Sequence, residues 1–290
     1  MFLTSIGQNQ NSKWFFGYGA GLDFMSNPPT PVFGSSINVP EGCSSISDNN
    51  GNILFYSDGQ TIWNQSHNVM ANGTGLAGSG NPSQSCLIAK QPGSNTIYFV
   101  FTIAGAPALN GNFCYSIVDM SLAAGLGSVT VKNAILFTSI SSSEKITGTM
   151  HCNGIDKWIL THGNGPNNNT FHAFYLSAAG LNTVSVNSAI GSYHTNFTAA
   201  GCMKISPNGR KVALAFTSSS MYVELFDFDN QTGVVSNSLV LNGPSGNIYG
   251  IEFSGDGSKL YASRIGNYFG TNIYQWDLCA GNNAAIISSF

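Results

Sequence analysis

The 290-residue sequence predicts an all-β fold, a β-propeller built from four-stranded antiparallel blades. Three observations predict it. Two short apolar strands around a polar, usually Gly-containing turn recur five times. Each pair is followed by a third strand and a weaker fourth, and no segment sustains the 3.6-residue apolar period of a helix. The first core residues of the second strands are Trp14, Ile53, Ile97, Trp158, Val212 and Leu260, spaced about 49 residues apart on average. A sandwich gives no reason for a four-strand unit to recur, and a β-helix repeats on a much shorter period.

The chain enters at Lys13–Gly17 and Leu22–Phe24, which read as the second and third strands of a blade, with Val32–Asn38 as its fourth. The paired strands then follow: Gly42–Ser47 with Ile53–Tyr56, Ser85–Ala89 with Ile97–Phe101, and Ile146–Cys152 with Trp158–Leu160. Gly201–Ser206 pairs with Val212–Ala215, and Gly250–Ser254 with Leu260–Ala262. Their turns hold Asn50-Gly51, Pro92-Gly93, Asn153-Gly154, Asn208-Gly209 and Asp256-Gly257, where Asn-Gly and Asp-Gly tolerate the positive φ of a tight hairpin. Third strands are expected at 61–63, 113–120, 171–176, 222–228 and 273–278, and fourth strands at 129–136, 184–190, 234–241 and 285–288. That makes five complete blades and one partial blade of a seven-bladed ring, or alternatively a six-bladed one. The first blade lacks its innermost strand, and an unpaired inner edge exposes backbone donors and acceptors. The natural polypeptide is therefore expected to continue beyond Phe290, or the ring to be completed by another element. Residues 1–12 read as a leader remnant or disordered arm, and 13–290 as the propeller domain, incomplete at its C-terminal end.

Charged residues are 8% of the chain, against about 25% in an average soluble domain. Asn, Ser, Thr and Gly must therefore solubilise the surface, while 42% apolar residues leave ample material for a core. A net charge of −3 with two arginines, Arg210 and Arg264, leaves no basic stripe for phosphates, so nucleic acid is not an expected partner. No run approaches 18 apolar residues and the mean hydropathy is +0.05, so no transmembrane segment is expected. Six cysteines in a poorly charged chain of extracellular character make disulfides possible, with fifteen pairings open. The plainer reading is free thiols acting as small apolar side chains.

The runs Lys13-Trp14-Phe15-Phe16-Gly17, Ala20-Gly21-Leu22-Asp23-Phe24, Glu41 to Asp48, Asn52 to Gly59 and Ile62-Trp63-Asn64 form a specific series, continued by Val69–Leu76, Met203–Gly209 and Gly250–Ser254. Over nearly the whole chain it resembles the amino-terminal propeller of large secreted Bacteroidetes proteins, often labelled gliding-motility-associated or PKD-domain proteins, which carry a type IX secretion signal. The resemblance implies a WD40-like or YVTN-like propeller that is exported and displayed or released outside the cell, with the secretion machinery among its partners.

Chemistry is harder to find. Ser57-Asp58-Gly59-Gln60-Thr61-Ile62-Trp63 echoes the Asp-box of sialidases with its spacing off by one, and two arginines cannot form the carboxylate clamp a sialidase needs. Most acids sit at turns or strand ends, where Asp serves the local backbone. Glu41 and Glu252 lie on or beside innermost strands and are the candidates for an axial site. Five histidines form no dense ligand motif; His151 and Cys152 are adjacent, and neighbouring strand residues point to opposite faces, so neither a metal nor a cofactor is expected. The four tryptophans mostly recur in second or third strands, as packing between blades would place them.

Loops rich in aromatic and amide side chains, at 58–67, 162–172, 192–197 and 266–271, are the candidate recognition surface. Together with the two glutamates they give the candidate ligand-binding residues Glu41, Asp58, Trp63, Asn64, His162, Tyr193, His194, Glu252 and Tyr268, with no catalytic set. The leading expectation is a non-catalytic extracellular recognition or adhesion module that binds a glycan or a protein. The alternatives are a polysaccharide hydrolase or lyase acting at the ring axis, and a structural component of a surface filament or secretion-associated assembly.

Overall fold

The computed structural model describes residues 9–104, 112–137, 141–165, 168–194, 199–217, 222–242, 247–265 and 272–290. They form six consecutive sheets. The first holds β1 (Lys13–Phe16), β2 (Tyr18–Asp23) and β3 (Thr30–Asn38), and the second β4 (Ser44–Ser47), β5 (Ile53–Ser57), β6 (Thr61–Asn64) and β7 (Val69–Thr74). The third holds β8 (Cys86–Lys90), β9 (Ile97–Ile103), β10 (Phe113–Asp119) and β11 (Ser128–Phe137). In the fourth are β12 (Ser141–Met150), β13 (Lys157–Asn164), β14 (Thr170–Ser177), β15 (Gly180–Leu181) and β16 (Val186–Ala189), the last two sharing the outer edge of β14. The fifth holds β17 (Met203–Ile205), β18 (Lys211–Ala215), β19 (Tyr222–Asp229) and β20 (Val234–Asn242), and the sixth β21 (Asn247–Phe253), β22 (Lys259–Ile265) and β23 (Ile273–Asp277). Pairing inside each sheet is antiparallel. A single parallel bridge, Ser128 to Ala71, joins the outer strands β7 and β11 and makes the second and third sheets continuous.

The core explains why these sheets stand as blades. It is divided into five apolar clusters, and each joins one sheet to the next. Phe15, Ile37 and Val39 meet Tyr56; Phe55, Ile62 and Met70 meet Val100, Val118 and Val129. Phe99, Phe101 and Phe113 meet Ile146, Ile159 and Phe174. Leu160 and Phe171 meet Val212, Leu214 and Phe226, and Ala213, Leu225 and Leu241 meet Ile251, Leu260 and Trp276. In β18, Val212 and Leu214 serve one neighbour while Ala213 and Ala215 serve the other. A strand buried on both faces reads as an uninterrupted apolar run, which is what Val212–Ala215 shows. Two sheets packed face to face would instead share one core.

The hairpin turns follow their sequence. The Asp48 carboxylate accepts the amides of Asn50 and Asn52 at 2.8 Å each, and Gly51 takes φ +82°. Asp256 accepts the Ser258 amide at 2.9 Å beside Gly257 at φ +72°. These carboxylates hold turns, as Asp commonly does.

Three expectations need correction. Residues 285–288 form no fourth strand; the chain ends in helix α1 (Asn283–Ser288), so the sixth sheet has three strands. Asn282 caps it by accepting the Ala285 amide, and Ile286 is buried against the fifth and sixth sheets. Trp158 and Trp276 pack between blades and Trp63 stacks on Tyr56, but Trp14 is 51% exposed and among the described residues has one ring contact, Phe24, because it lies on the open side of the first sheet. His151 and Cys152 do not point apart. They lie in the β12–β13 turn, not in the strand, and Cys152 Sγ is 3.8 Å from His151 Nδ1.

All six cysteines are free thiols. Cys43 and Cys86 share one role at equivalent positions: each donates to a carbonyl of the preceding sheet, Phe15 at 3.2 Å and Ser57 at 3.4 Å. Burial pushes the Cys43 thiol up to about 11 and the Cys86 thiol higher still.

Candidate functional site

The innermost strands β4, β8, β12, β17 and β21 run the same way through the molecule. The connections that lead into them therefore gather on one face, the entry face. The hairpin turns that leave them gather on the other, the exit face. Second-to-third strand connections return to the entry face, and there they touch the incoming segments: Gly78 donates to Gly59 O at 3.0 Å and Gly165 to His194 O at 2.8 Å.

The centre of the entry face is occupied by residues 82–85, just ahead of β8. Pro82 O accepts the Gly42 amide at 3.1 Å. Ser83 donates twice to Glu144, from its amide at 3.0 Å and its hydroxyl at 2.9 Å, while its oxygen accepts the Gly201 amide at 2.8 Å. Gln84 Oε1 accepts the amides of Met203 at 2.8 Å and Ile146 at 3.3 Å, and its Nε2 donates to Met203 O at 3.2 Å. Tyr249, on β21, reaches the Ser83 hydroxyl and donates to Glu41 at 2.7 Å. Four residues thus bind the second, fourth, fifth and sixth sheets to the third. The fit leaves no room at Gly42, where a Cβ would stand 2.2 Å from Ser85 N.

Below this knot lies a cavity of about 270 Å³ whose lining includes Cys43, Ser83, Gln84, Ile146 and Lys204. Glu144 is 8% exposed and Lys145, beside it, is fully buried with its ammonium on Ala199 O and Ala200 O at 2.7 Å each. Burial pulls the Lys145 amine down to about 7. A second buried carboxylate, Glu224, accepts the Ser192 amide and hydroxyl, the latter at 2.9 Å, and so clips Ser192 to β19; burial raises its pKa against those hydrogen bonds.

Each sequence-derived candidate has a definite place. Glu41 is exposed on the entry face and bonded to Tyr249. Glu252 is exposed and paired with Lys204 at 2.8 Å. Asp58 is 7% exposed and accepts the amides of Gln60 and Thr61, and Asn64, 4% exposed, accepts those of Ser66 and Asn68; both are spent on their own turns. Trp63 stacks on Tyr56 at 5.6 Å within the contact between the first two sheets. His162 and His194 are buried with rings 4.1 Å apart, and burial holds His162 at about 3. Tyr193, beside them, is 55% exposed. Tyr268 and the whole 266–271 loop lie outside the described residues. The structure thus brings Tyr193, His162, His194 and Glu41 to one face. Ser83, Gln84, Glu144, Lys145, Glu224 and Tyr249 were not singled out by sequence; the available signal was position, because most of them lie within a few residues of an innermost strand. Among the described residues no three metal-ligating side chains gather, and no helix is long and apolar enough to cross a membrane.

No protein-family model matches the chain, and no curated protein matches it. Solved structures do. The β-propeller domain of Cps50 (Swd1) from Myceliophteria thermophila matches with a TM-score of 0.50 at 10% identity, over 94% of this chain and 85% of that one. A provisionally named 6-phosphogluconolactonase from Bacteroides fragilis matches with a TM-score of 0.54 at 10% identity, over 91% and 74%. Its counterpart from Bacteroides uniformis gives 0.51 at 13% identity, over 89% and 74%. At these identities the likeness speaks to architecture alone. Radial sheets, a core divided between neighbours and these matches together make the chain an all-β protein of the β-propeller fold.

Proposed function

We propose that the protein is a non-catalytic recognition module that binds a glycan or a protein surface through its entry face. The observation that carries this reading is that the three glutamates around the axis are all engaged: Glu41 by Tyr249, Glu144 by Ser83, and Glu252 by Lys204. A glycosidase keeps two carboxylates about 5–9.5 Å apart and free to exchange protons across a bound sugar. Here the axis is knotted by hydrogen bonds, and what remains is a rigid frame with loops at its rim, the usual setting for binding. Tyr193, 55% exposed on this face, suits stacking on a sugar ring or on a partner's surface. Following the family resemblance, we place the protein outside the cell or on its surface, delivered by type IX secretion and acting in adhesion.

A glycan array and a pull-down from cell-surface extract test the reading. A saturable ligand that Tyr193→Ala weakens about tenfold, as expected for loss of one stacking aromatic, supports it; silence in both with the folded chain would remove it.

A further inference from the structure

The exit end of the axis carries a different chemistry. There the ends of β4, β8 and β12 and the start of β13 enclose a cavity of about 290 Å³, at the lower edge of ordinary small-molecule pockets. Ile46, Leu87, Met150 and Ile159 give it apolar walls. Gln10 and Asn11 line one side, from a short 3-10 turn held to the β4–β5 hairpin by Asn9 and Gln10, which donate to Asn49 at 3.1 and 2.9 Å.

Two lysines, Lys90 and Lys157, stand in this lining, and no carboxylate does. Lys157 Nζ donates to the main-chain carbonyl of Lys90 at 3.0 Å, which holds its ammonium against the end of β8. Lys90 itself has no ion pair or side-chain hydrogen bond among the described residues, whereas Lys13, Lys204, Lys211 and Lys259 each hold an acid. The nearest acid in sequence, Asp156, is already engaged by Tyr175 and Asn153. Burial, and then the Lys90 charge, holds the Lys157 amine below the ordinary lysine range against the opposing charge of Asp156. In a chain with ten basic residues, two lysines and no carboxylate in the lining of one apolar cavity form an arrangement that an anion would relieve.

We propose that this exit cavity binds a small organic anion, with its apolar body against Leu87, Met150 and Ile159 and its carboxylate or phosphate between the ammonium groups of Lys90 and Lys157. The site lies at the opposite end of the axis from the entry-face loops and stands or falls separately from them.

Calorimetric titration of the full chain with hexanoate, hexyl phosphate, inorganic phosphate and hexyltrimethylammonium tests it. Hexanoate or hexyl phosphate should bind saturably and the cation should not; which of the two binds tighter identifies the headgroup. Lys90→Gln should weaken the better anion about tenfold, the expected loss of one charge-assisted bond, and Lys90→Arg should retain it. Thermal melting of Lys90→Gln, whose side chain has no partner to lose, checks that the variant is folded. The proposal is overturned if neither hexyl anion binds, if Lys90→Gln leaves their affinity unchanged, or if inorganic phosphate matches hexyl phosphate, since the apolar walls would then contribute nothing.

Discussion

His162 shows how much one side chain's setting matters. Its ring is 1% exposed, with Nδ1 2.6 Å from Gly163 O, Phe171 edge-on at 4.6 Å and the His194 ring alongside. Burial holds its pKa at about 3, below the ordinary 6.5. Above 6.5 the group is neutral in both the folded and unfolded chain and its full contribution is present. As pH falls, the unfolded chain takes up a proton that the folded chain refuses, so stability is lost from about 6.5 down towards 3. Between pH 7 and 5 the loss is about 2 kcal/mol. Urea unfolding at those two pH values should show it, and His162→Phe should reduce the difference; an equal difference in the variant would assign the effect elsewhere. In sequence the same residue reads as a loop histidine available to a ligand. What places it out of reach is the packing of rings from the fourth and fifth sheets and from the segment between them, which no local spacing records.

At the scale of elements, strands and hairpins were legible because their signals are local. Alternation marks β19, an uninterrupted apolar run marks the doubly buried β18, and Asn-Gly or Asp-Gly marks the turns. Helix α1 was not legible: Ala285-Ile286-Ile287 is as good a strand as a helix at this length. The outcome was decided by the Asn282 cap and by the place Ile286 finds between the fifth and sixth sheets. Asn282→Ala should therefore cost about 1 kcal/mol, seen as faster hydrogen exchange confined to the α1 amides. Unchanged exchange there would mean that packing alone holds the helix. The entry-face site was half legible for a related reason. Glu41 was placed by its distance from an innermost strand, while Ser83, Gln84 and Tyr249 matter through the Gly201, Met203 and Ile146 amides and the Glu144 and Glu41 carboxylates, which only the assembled ring brings within reach.

At the scale of the whole molecule, residues 82–85 tie the sheets together through polar bonds at the axis, and the apolar clusters tie them as neighbours. Removing Gln84 tests the first kind of tie. Gln84→Ala would strand the Met203 and Ile146 amides in a buried place and should cost about 3 kcal/mol; a loss below about 1 kcal/mol would show that water replaces the side chain and that the clusters suffice. The same knot bears on how the chain reaches its native state. Gln84 is 119 residues from Met203, and Glu41 is 208 from Tyr249. During synthesis the early blades must emerge from the ribosome and wait, their central polar groups unmet, until the fifth and sixth have been made. Renaturation from urea should accordingly finish with a slow phase that reports closure of the middle, long after the individual hairpins have formed.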